Sequence, residues 1–165
     1  MHEHEYRPGA IGALMDEYER AARELARVVA GLSDEAFEQL RDAETKDEDC
    51  RSIQTILNHV VRSSYGYADM IRAATGQASA RPAIGPMSLG ESLEGLEAGL
   101  AYTAETLEGR WRMTDDEIMA VRMEARWGPV YDLEQLLEHA VLHVMRHRRQ
   151  IERFLAQGGG SRGSS

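Results

Sequence analysis

His139, His143 and His147 follow one another at intervals of four in LEQLLEHAVLHVMRHRRQIERFLAQ, residues 133–157. Four residues of an α-helix advance about 400° and roughly 6 Å, so three imidazoles at this spacing project near one side. A neutral imidazole offers one lone pair to a cation while its other ring nitrogen donates to an acceptor. The stretch is a ladder of candidate metal ligands.

Steps of three and four from Leu133 pass through Leu136, Ala140, His143, His147, Gln150 and Phe154, the seam a bundle helix turns toward its neighbours. His143 and His147 fall on core positions, and His139 lies at the flank. Two imidazoles and an amide at core positions cost stability unless their polar atoms find partners, so either a metal ion or a buried polar network must satisfy them. Zinc sites use three or four protein ligands, which places a third donor elsewhere in the chain. His59 is that candidate. It is the one histidine outside the N-terminus and the last stretch, and Ser63 and Gly66 on its helical stripe leave space beside it. His2 and His4 sit in a polar N-terminus and are assigned no part in the site.

The elements that must position these residues are helical. Ile11, Leu14, Tyr18, Leu25 and Val29 recur at helical spacing and predict a first helix over about 9–30, followed by a short helix through Phe37 and Leu40. The acidic stretch 41–49 reads as a solvated loop. A second long helix over about 51–75 carries one seam of plain core, Ile53, Leu57, Val60, Ser64, Tyr67 and Ile71. A second seam runs through Ser52, Ile56, His59, Ser63, Gly66, Met70 and Ala73. TGQASARPAIGPMS is a turn-rich crossover. Ser88 and Glu91 form a capping box for a third helix to about Gly109, and Asp132 with Gln135 forms another for the last. Between them, Met119, Val121, Met123, Ala125 and Trp127 alternate with polar or small residues, predicting an extended segment.

Composition narrows the functional classes. The 165 residues, 42% hydrophobic, fit one domain over 1–157, with the Gly/Ser-rich 158–165 as a flexible tail. No apolar run approaches the roughly 20 residues of a membrane span and the N-terminus lacks a signal-peptide core, which predicts a cytoplasmic protein without a membrane partner. The lone Cys50 cannot form an internal disulfide and reads as a passive thiol. Twenty-eight acidic against nineteen basic residues give a net charge of −9, a field that repels phosphate backbones and argues against nucleic acid. Arg146, Arg148, Arg149 and Arg153 read as a solvated face near the C-terminal end of a helix.

A histidine in LNHVVRSS, an extended RWGPVYDLEQLLEH segment and a last helix containing HVMRHRRQIERFL together resemble the DinB/YfiT-like superfamily, over about 6–157. The resemblance implies an all-α, antiparallel four-helix bundle with a long crossover and a short extended excursion before the last helix. It implies a divalent metal, zinc or nickel, on His59, His143 and His147, with His139 read as a neighbour of the site and, as the alternative, as the ligand in place of His147. It also implies transferases that use low-molecular-weight thiols, a small-molecule substrate and a homodimer. The other readings it carries are a non-catalytic metal-binding or stress-related protein and a metal-dependent hydrolase.

Three neutral ligands would leave an ion at full charge with an open position, where water can ionise near neutral pH or a thiol can bind as thiolate. No carboxylate falls on the His143/His147 seam to act as a general base, which favours thiol chemistry over hydrolysis. Thr55, Ser63, Tyr67, Trp127 and Gln150, on or near the ligand-facing seams, complete the candidate pocket.

Overall fold

The computed structural model describes residues 5–158. His2, His4 and residues 159–165 of the expected tail lie outside them. Six α-helices make up most of the described chain: α1 (Gly9–Val29), α2 (Asp34–Glu38), α3 (Ile53–Ala74), α4 (Leu89–Leu107), α5 (Asp115–Ala120) and α6 (Leu133–Gly158). The last runs one residue into the span assigned to the tail. None is long and apolar enough to cross a membrane.

The four long helices form a bundle because each has an apolar stripe and buries it against its neighbours. Ile11, Met15, Tyr18, Ala22, Leu25 and Val29 supply α1's stripe, and Leu133, Leu136, Leu137 and Ala140 supply the first half of α6's. Contacts join α1 to α6 and α4, and α3 to α4 and α6, closing a ring of four. α3 runs antiparallel to α6, as the pairing of His59 with His143 and of Tyr67 with His139 shows. Against α4 it runs parallel: Asn58 meets Ser92, Ser64 meets Gly99, and Arg72 meets Thr106. The crossover makes that parallel pairing possible. It is tied down by Arg72 donating to the Ala78 carbonyl, Tyr102 accepting from the Ala80 amide, and Gln54 donating to the Met87 carbonyl.

The α3–α4 contact requires a glycine. A Cβ on Gly99 would lie 2.1 Å from Ser64 Oγ, so the helices approach at a distance only a hydrogen at this position permits.

Reciprocal boxes start α4 (Ser88, Glu91) and α6 (Asp132, Gln135), as the sequence indicates. A third, Ser52 with Thr55, starts α3. The extended segment is shorter than its alternation suggests. Met119 and Ala120 belong to α5, which Thr114 and Glu117 cap, and only Met123–Glu124 (β1) and Val130–Tyr131 (β2) pair as an antiparallel hairpin. Met123 and Ala125 are buried, while Met119 and Trp127 are exposed. Leu40, expected within the short helix, lies exposed beyond the end of α2.

Candidate metal centre

α3 and α6 bring His59, His143 and His147 together: one ring nitrogen from each lies within 4.8 Å of the others. The Nε2 atoms of His59 and His143 are 2.9 Å apart, and those of His143 and His147 are 3.2 Å apart. Donor nitrogens around a divalent ion with bonds of about 2.0–2.1 Å lie roughly 3.0–3.4 Å from one another, close to the His59–His143 and His143–His147 separations.

The outward ring nitrogens fix the inward ones. His59 Nδ1 lies 3.2 Å from Asp49 Oδ2, and a carboxylate can only accept, so the proton sits on Nδ1 and the Nε2 lone pair turns inward. His147 Nδ1 donates to Gln150 Oε1 at 3.1 Å with the same result. Two inward lone pairs then face His143 Nε2, which carries at most one proton. One donor cannot fully satisfy two acceptors, and a cation satisfies all three nitrogens at once.

Burial keeps His143 and His147 neutral. Burial pushes His143 down to about 3, helped by its histidine neighbours and by Arg146. His147 is lowered mainly by burial, against the raising effect of its bond to Gln150. Neutral imidazole is the metal-binding form.

The core side of α6 follows the heptad seam only as far as His143. Beyond it the buried residues are Val144 and Ile151, and His147, Gln150 and Phe154 are half-buried. A strict seven-residue step lags the 3.6-residue helix by about 20° per heptad, which turns the lower seam toward the loop ahead of α3.

That loop holds the residue sequence reasoning missed. Asp49, in the stretch read as solvated, bridges His59 and Arg62, whose guanidinium donates to Asp49 Oδ1 at 2.5 Å. The 3₁₀ turn Glu48–Cys50 packs it against α3, and no local sequence signal marks it. Cys50, half-buried, lies 3.8 Å from Gln150 Oε1, and burial raises its thiol.

A cleft of about 850 Å³ opens on the triad through His59 and His143. Its floor is the second seam of α3, with Ser63, Gly66, Met70 and Ala73 in line above His59. Tyr67, Trp127 and His139 form an aromatic wall. Trp127 stacks on His139 at 5.5 Å between centroids, Tyr67 meets both rings edge-on, and Tyr131 Oη lies 3.5 Å from His139 Nδ1. Tyr67, hydrogen-bonded to Ser63, is pushed up to about 12 by burial and stays a neutral donor. His139 therefore lines the cleft and is not among the three converging nitrogens. Thr55, expected in the pocket, does not line it. Its hydroxyl accepts from the Ser52 amide and donates to the Ser52 carbonyl, a capping role that consumes its polar capacity.

Compared with known proteins, the chain matches the family model described as DinB family over residues 1–164. No curated protein and no solved structure matches it.

Proposed function

Because the chain belongs to the DinB family, we propose that it holds one divalent metal ion, zinc or nickel, on His59, His143 and His147, and acts on a small molecule as a metal-dependent S-transferase. The observation that carries this reading is the convergence of three Nε2 atoms, two with their outward nitrogens committed to Asp49 and Gln150.

When bound, such an ion supplies Lewis acidity, favouring the anionic form of a thiol or of water at pH 7. The chain's own residues do the rest. Asp49 and Gln150 hold two ligands in one tautomer, and Tyr67, whose ring lies edge-on to His143, keeps its hydroxyl protonated and hydrogen-bonded to Ser63. Trp127 and His139, stacked on each other, line one side of the cleft. In the transfer, a low-molecular-weight thiol's sulfur forms the new bond to an electrophilic carbon. The leaving group departs with its bonding pair, and the thiol proton passes to solvent.

A thiol needs no protein base once it is ionised. The carboxylate nearest the triad, Asp49, is already engaged by His59 and Arg62, which favours thiol transfer over the hydrolase reading. The cleft beside the triad favours an enzyme over a purely metal-binding protein.

The test is elemental analysis of protein purified without metal-affinity resin, beside His59→Ala and His143→Ala. About one zinc or nickel per chain, absent from both variants, supports the site and leads to a screen of thiols against electrophiles. No metal after reconstitution near neutral pH overturns the reading. Stoichiometric metal with no turnover across the screen leaves a binding protein.

A further inference from the structure

The cleft is a trench. His59, Ser63, Gly66, Met70 and Ala73 succeed one another at three- and four-residue steps, so its floor follows one stripe of α3. From His59 to Met70 and Ala73 is eleven to fourteen residues, roughly 16–21 Å along the axis. A ligand with one end at the triad must be elongated to reach the far end.

The charges around the trench are unevenly balanced. Arg62 is engaged by Asp49. Arg81 is held at 3.2 Å by Asp69, which also accepts from Tyr102 and Ser79. Arg126, on the turn after β1 and next to Trp127, lines the trench and makes no ion pair among the described residues. Arg146 is likewise unpaired, and its charge is felt at Tyr67, His139 and His143. Against these stands one unpaired acid on the lining, Glu124. In a protein of net charge −9, the uncompensated charge at this site is positive before any ion is added.

We propose that the trench selects an elongated small molecule whose metal-ligating head lies at the triad and whose anionic tail is read by Arg126, which lines the trench beside Trp127. The inference deepens the metal-site reading and rests on it. The aromatic wall of Tyr67, Trp127 and His139 takes the apolar body between the two ends. Gly66 leaves the middle of the floor clear: a Cβ there meets nothing within 4 Å.

The test uses full-length protein loaded with cobalt(II), whose absorption band with a thiolate reports binding directly. The probes are mercaptopropionic, mercaptohexanoic and mercaptoundecanoic acids, each beside the mercaptoalcohol of equal length. Long acids are expected to bind about three- to fivefold tighter than their alcohols, the size of one partly exposed ion pair. Arg126→Ala should erase that preference and leave the alcohols unchanged, whereas Glu124→Gln should widen it. Gly66→Leu, which favours helix and fills open space, should abolish the binding of mercaptoundecanoic acid and spare mercaptopropionic acid. Equal binding of acids and alcohols by cobalt-loaded protein overturns this inference alone, as does Gly66→Leu leaving the long acid unaffected. Failure to load cobalt overturns the metal site beneath it.

Discussion

Asp49 Oδ2 lies 3.2 Å from His59 Nδ1, so a carboxylate from an acidic loop decides which imidazole nitrogen faces the triad. Outer partners of this kind hold both the tautomer and the ring orientation of a ligand. Asp49→Asn keeps the shape but exchanges an obligate acceptor for an amide. Metal affinity should fall about 10- to 100-fold, the usual effect of losing such a partner, with the helical circular dichroism unchanged. Competition against a chromophoric chelator measures it, and an unchanged affinity would remove Asp49 from the site.

His139 and His147 each stand four residues from His143 but occupy different surroundings. His139 is stacked on Trp127 in the cleft wall, and its ring centroid is 6.2 Å from that of His143, against 4.5 Å for His147. His147→Ala should lose the metal, and His139→Ala should retain about one ion per chain by elemental analysis. The reverse result would exchange the two residues' roles.

The metal-free protein should weaken in acid. His143 takes a proton at the ordinary histidine value of 6.5 when unfolded but only near about 3 when folded, because burial disfavours its charged form. Below 6.5 the unfolded state binds the extra proton, so stability declines by up to roughly 1.4 kcal/mol per pH unit until the folded value is reached. Urea melts of chelator-treated protein across that window should show the decline, and His143→Leu should flatten it.

Gly99→Ala should cost about 1–3 kcal/mol, the usual range for overpacking, because its Cβ would meet Ser64 Oγ on the neighbouring helix. Adding Ser64→Ala removes the obstructing oxygen and should recover most of the loss in a chemical melt. No recovery would mean that the clash lies elsewhere.

Much of the architecture was legible because it is local. The apolar spacing of α1, α3 and α6 and the Ser88/Glu91 and Asp132/Gln135 boxes depend on residues within a turn or two of one another. The heptad seam also singled out His143, and the small residues beside His59 anticipated a cleft that the structure places there. Asp49 was not legible, since its approach to His59 depends on how a charged loop docks on α3 and no periodicity encodes that. Thr55 was misassigned for the opposite reason. Seam position suggested a pocket, but three residues after a serine at a helix start the local capping bond takes the hydroxyl. α5 was overlooked because alternation over 119–127 obscured the Thr114/Glu117 box just ahead of it.

The triad spans two helices, and His59 and His143 are 84 positions apart in the chain. Closing a loop of that length is entropically expensive, and no partial fold lacking α6 presents more than one of the three imidazoles. Among the described residues, a nascent chain that has made α1 to α4 therefore presents one imidazole, His59. An ion that needs all three imidazoles would be selected only when the last helix docks, after the other three long helices are made.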